Sequence, residues 1–175
     1  SNGIECDSYT CCILMKTLRS NHITNKSIEV SRTFSLFENL KKDAVKNDSV
    51  LVNTALEACL RLKDKKLLRV VLSKFEIFPG KKLLDSQNIH TYGILLNVSG
   101  FLEDRDLIWA VYHEANSYFV GLNDSMHLTL MQNLLNMNCL NDARGFFFEV
   151  GLRSIGGTSL YSAFAMFIKW YKNFN

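Results

Sequence analysis

Proline is nearly absent from this chain of 175 residues: Pro79 is the only one, and glycine is limited to nine. Sandwiches and barrels need tight turns at short intervals, and those turns draw heavily on both residues. Their scarcity excludes a turn-rich β architecture and leaves helices. No apolar run approaches the ~20 residues that cross a bilayer, and the amino end has no basic stretch followed by a hydrophobic one, so no membrane association is expected. There is no CxxC pair either. The five cysteines, Cys6, Cys11, Cys12, Cys59 and Cys139, are odd in number and lie in apolar stretches. They read as small core residues in a reducing intracellular compartment, not as zinc or disulfide sites.

Catalytic groupings are equally scarce. His22, His90, His113 and His127 fall outside HxxxH or HExxH spacing. The acids of Glu103-Asp104-Arg105-Asp106 precede a helix, where negative charge complements the helix dipole. Gly156-Gly157-Thr158-Ser159 lacks the lysine of a phosphate loop and reads as a turn and cap. No enzyme activity, cofactor or metal site is expected.

What is present is helical periodicity. Hydrophobic residues make up 47% of the chain and charged ones 21%, with a net charge of +3, the balance of a folded protein that tolerates an anionic partner. Apolar residues recur at three- and four-residue spacings, as in Val30, Phe34, Phe37 and Leu40. Three segments align with one another, beginning Asp7-Ser8-Tyr9, Asp48-Ser49-Val50 and Asn88-Ile89-His90, and a fourth starts near Asp124-Ser125-Met126. Each opens on a residue that caps a helix and continues as an apolar face. Second helices follow at Ser27 to Lys41, Asp64 to Phe75, Asp106 to Asn116 and Asn141 to Val150. The reading is an all-α helical-hairpin repeat solenoid forming one domain over 1–175, with units of about 8–48, 49–88, 89–123 and 124–158 and a terminal helix over 159–174. That last helix carries Tyr161, Phe164, Phe167, Trp170 and Tyr171, more apolar surface than one neighbour covers, which points to a protein partner or self-association. The chain opens Ser1-Asn2-Gly3 without methionine, which suggests an excised or processed piece.

These residues resemble the pentatricopeptide repeat (PPR) family. Gly3-Ile4-Glu5-Cys6-Asp7-Ser8-Tyr9-Thr10 is similar to that family's junction between units, Val52-Asn53-Thr54-Ala55-Leu56-Glu57-Ala58-Cys59 to its first-helix motif, His90-Thr91-Tyr92-Gly93-Ile94-Leu95-Leu96 to the same motif one unit later, and Cys139-Leu140-Asn141-Asp142-Ala143-Arg144 to its entry into a second helix. The resemblance covers about residues 3 to 150, and units one and two exceed the family length near His22 to Lys26 and Phe78 to Ser86. It implies a right-handed superhelix that binds single-stranded RNA at about one base per unit, with a mitochondrion or plastid as a compatible location. Its early selectors fall on Cys12, Asn53, Gly93 and Thr129, the last passing to Leu128 with a one-residue gap. Its end-of-unit selectors fall on Asp48, Asn88 and Asp124, and its base-flanking positions on Tyr9, Val50, His90 and Met126. Asn53 with Asn88 is the pair whose amides suit a pyrimidine edge; Cys12 and Gly93 depart from the code. Tyr9 and His90 either stack on a base or cover a helix entry. Arg19, Arg61, Lys63, Lys65, Lys66 and Arg69 either contact phosphates or form a solvated face. The implied role is RNA processing, stability or translation, against two alternatives: a protein-binding scaffold, and the RNA-binding arm of a larger RNA-processing enzyme.

Overall fold

A computed structural model describes residues 7–18, 26–41, 48–78, 88–119 and 122–174. Among these residues every regular element is a helix. The helices are α1 (Ser8–Thr17), α2 (Lys26–Asn39), α3 (Ser49–Leu62), α4 (Lys65–Lys74), α5 (Ile89–Leu102), α6 (Arg105–Tyr118), α7 (Asp124–Asn136), α8 (Leu140–Phe146) and α9 (Gly157–Phe174). Beyond α8 the chain runs on through a π-helical turn (Phe147–Gly151) and a last α-turn (Leu152–Ser154). No described helix is long and apolar enough to cross a membrane. Most of the extra length expected near His22 to Lys26 and Phe78 to Ser86 lies outside the described residues, as do Arg19 and Cys6.

The chain divides into two compact units, Ser1–Ile94 and Leu95–Asn175, with the boundary inside α5. In the first, α1 packs on α3, and each of the two carries its own second helix, α2 and α4. Cys11 and Met15 of α1, Phe37 of α2, Leu51, Ala55 and Leu56 of α3, and Leu68 and Val71 of α4 are fully buried. Each large side chain withdrawn this completely contributes about 1.5–3 kcal/mol. The second helices are tied as well: the Lys74 ammonium donates to the carbonyls of Glu38 and Leu40, both at 2.6 Å, which satisfies acceptors at the end of α2 that have no intrahelical donor.

In the second unit α7 carries α8 and packs against α9. Leu107, Ile108, Val111 and Ala115 of α6 and Leu130, Met131 and Leu134 of α7 are buried to 2% exposure or less. Asn133 of α7 donates to the Leu96 carbonyl of α5 at 2.8 Å, and Arg105 at the start of α6 grips Asp142 of α8 through two bonds of 2.6 and 3.0 Å.

A common frame underlies the hairpins. The first helices are capped by Asp7, Asp48 and Asn123, whose side chains accept from the backbone N–H groups of Thr10, Leu51 and Met126. Asn88 stands in the same place before α5 and accepts from His90 N–H at 3.0 Å. Each described turn into a second helix then passes through a left-handed residue, Lys63, Glu103 or Asn138, with φ of 54°, 60° and 59°. The backbone bonds repeat too: Asp64, Asp104 and Cys139 donate to the carbonyls of Cys59, Ser99 and Leu134. A left-handed Lys or Glu costs roughly 1–2 kcal/mol, and these bonds offset it by satisfying carbonyls stranded at the helix end.

This frame corrects the fourth unit. Asn123, not Asp124, is the cap, so α7 starts one residue earlier in the repeat than Asp124-Ser125-Met126 implied. Asp124 instead accepts a bond from Gly156 N–H at 3.4 Å, and the last helix begins at Gly157, two residues before the expected 159.

Candidate nucleic-acid interface

Counting from each cap aligns the sites. The fifth position along is Cys12, Asn53, Gly93 and, in the fourth hairpin, Leu128, so Thr129 lies one residue past it. The second position along is Tyr9, Val50, His90 and Ser125, displacing Met126, which is buried at 4% exposure. Tyr9 is 72% exposed and Val50 58%, and the His90 side chain is 66% exposed. Caps hold these groups in solvent at the mouth of each first helix, while the next turn of α3 and α5 is buried through Leu51, Val52 and Tyr92.

The selectors differ in what they present. Cys12 is 6% exposed, and its thiol meets Thr54 of α3 inside the α1–α3 packing, where burial pushes its pKa up. It offers almost no surface to a base, which corrects its placement as a contact. Asp48 acts on Cys12 electrostatically and adds to the upward push on the thiol. Asn53 is half-buried, and its Oδ1 is enclosed with no hydrogen-bond partner. An orphaned acceptor of this kind costs roughly 1–3 kcal/mol. Gly93 faces open space: a Cβ built there meets nothing within 4 Å. Asp48 and Asn88 serve as caps, so their side chains already have work in the folded chain.

Charge on this face is partly cancelled. Glu57, one turn after Asn53, lies 3.5 Å from Arg61 Nη1 and 3.8 Å from His90 Nε2. Lys65, Lys66 and Arg69 belong to α4, the second helix, and Lys63 to the turn; of the described candidate phosphate contacts, Arg61 alone shares α3 with Asn53.

Sequence reasoning missed the position one turn beyond the early selectors: Lys16, Glu57, Asn97 and Gln132. The signal was the i, i+4 spacing that puts them on the same helical face. In the second unit Asn97 and Gln132 join Ser125, Leu128, Thr129 and Ser159 around a cleft of about 380 Å³, whose lining is uncharged and rich in amides and hydroxyls. Among the described residues no cluster of three or more His, Cys, Asp or Glu has metal-binding geometry.

The fold and this face define an all-α, repeat-like protein built from helical hairpins. No protein-family model matches the chain, no curated protein is significantly similar to it, and no solved structure matches it significantly.

Proposed function

We propose that the chain is a PPR-like module that binds single-stranded RNA through the entry halves of its first helices, with the second hairpin as its base-reading unit. The observation that carries this is the triplet of exposed groups at equivalent positions, Tyr9, Val50 and His90. Packing would bury such side chains, whereas a base-stacking surface keeps them in solvent. Asn53, three residues after Val50 on α3 and only half-buried, supports the same reading, since part of the residue stays accessible there.

The test separates affinity from stability. Asn53→Ala should weaken binding to a preferred pyrimidine-containing RNA by about 1–3 kcal/mol, with the denaturation midpoint unchanged or raised. Asn88→Asp keeps an acceptor for His90 N–H and removes the amide, so it should lower affinity without loosening α5. If Asn53→Ala destabilises the protein and leaves RNA affinity untouched, the residue is structural and the code does not operate here.

A further inference from the structure

Helix α9 has two faces, and one of them is covered. Ala163 is fully buried, and the Trp170 indole N–H donates to the Leu135 carbonyl at the end of α7, 3.0 Å away. On the other side Tyr161, Phe164, Ile168 and Tyr171 are 79%, 47%, 57% and 44% exposed. Their spacing of three, four and three residues is that of a seam offered to another helix. Isolated exposed apolar residues are ordinary, but a continuous stripe marks an interaction surface.

The stripe borders a groove of about 250 Å³ lined by Arg144, Phe147, Phe148, Phe164, Phe167 and Tyr171. Phe147 anchors it from α8's extension, its ring edge-on to Phe164 and Phe167 at 5.1 and 5.6 Å. The π-helical turn, which shifts side-chain register relative to an α-helix, leaves Phe147 2% exposed and turns Phe148 outward to 60%. In the α3–α4 and α7–α8 hairpins a first helix is covered by its second. Stacked on α7, α9 takes the place of a first helix, and among the described residues no second helix covers its outer face. A helix in the groove would touch both α9 and the end of α8, as α4 touches α3 and reaches the end of α2.

Charge identifies the occupant. From 143 to 174 the chain carries Arg144, Arg153, Lys169 and Lys172 against a single acid, Glu149. Arg144, Lys169 and Lys172 are exposed, and none has an ion-pair partner among the described residues. We propose that this face receives an amphipathic helix from a protein partner, apolar along one stripe and acidic at its margins. A second copy of α9 fits less well, since α9 has no acidic residue to meet Lys169 and Lys172.

Two synthetic helices of about 20 residues, with Leu at the a and d heptad positions and either Glu or Lys at e and g, test this by fluorescence anisotropy with the full chain. The Glu peptide should bind and the Lys peptide should not; Ile168→Glu should weaken the Glu peptide at least about tenfold, and Lys172→Gln should reduce the salt dependence. Tyr161→Glu, at the most exposed position of the stripe, guards against a folding artefact: it should weaken binding too, with unchanged circular dichroism. The proposal is overturned if neither peptide binds, if both bind alike, or if sedimentation shows a dimer that Ile168→Glu dissolves. Loss of RNA affinity in Ile168→Glu would also overturn it, by assigning the face to nucleic acid.

Discussion

Burial governs the protonation of His127. The ring is 3% exposed, lies 6.1 Å from the Tyr112 ring and 5.7 Å from that of Phe146, and its Nδ1 has no partner. Desolvation therefore holds its pKa below the ordinary 6.5, outweighing the nearby Asp124, which favours the charged form. In the unfolded chain the ring takes up its proton near 6.5, so below that pH the unfolded state binds more protons and stability falls as the pH drops towards the depressed native value. The denaturant midpoint should be lower at about pH 5.5 than at about pH 7.5, and His127→Phe should flatten the difference; an unchanged difference would exonerate His127. Two glycines provide a contrast at the same scale. A Cβ at Gly93 enters open space, so Gly93→Ala should stabilise by roughly 0.5–1 kcal/mol through helix propensity. A Cβ at Gly100 would overlap the Asn133 carboxamide, which is held by its bond to Leu96. Overpacking of about 1–3 kcal/mol and a lost bond of about 1 kcal/mol exceed the propensity gain, so Gly100→Ala should destabilise, and Asn133→Ala in the same chain should restore the loss. Thermal or denaturant melts check both.

Among the elements, caps and turns set the register. Asp64 and Asp104 cap α4 and α6 through bonds of 2.8 to 3.1 Å to the first turn. The matching residue of the fourth hairpin, Cys139, makes no side-chain cap bond. Cys139→Asp should therefore raise stability by about 1 kcal/mol, and no gain in the melting curve would show that the frame does not extend to α8. These polar stops made the hairpins legible from sequence: α2, α4, α6 and α8 open within a residue or two of the expected starts. The fourth register was not legible, because Asn123 and Asp124 are adjacent and both are good caps; only the bond to Met126 N–H decides between them. The burial of Cys12 was legible, since the cysteines read as small core residues; the helix it packs on was not. Periodicity gives the face a residue shares, but not that α1 turns this part of its face onto α3. The left-handed turns were hidden too, since Lys63 and Glu103 are not residue types that advertise positive φ.

For the molecule as a whole, RNA binding as proposed would rest on electrostatics as much as on geometry. A net charge of +3 is modest for a nucleic-acid binder, and Glu57 offsets Arg61 on the very helix that carries Asn53. For RNA binding as proposed, stacking would then supply much of the affinity, with a limited number of phosphate contacts adding a salt-dependent part. The most direct measurement is a filter-binding titration of the chain with mixed-sequence single-stranded RNA at about 50 and 200 mM salt, repeated with Glu57→Gln. On the proposed reading, binding at the lower salt should weaken clearly at the higher, with Glu57→Gln binding more tightly at both. RNA that is not retained even at the lower salt, or affinity indifferent to both salt and Glu57→Gln, would contradict it.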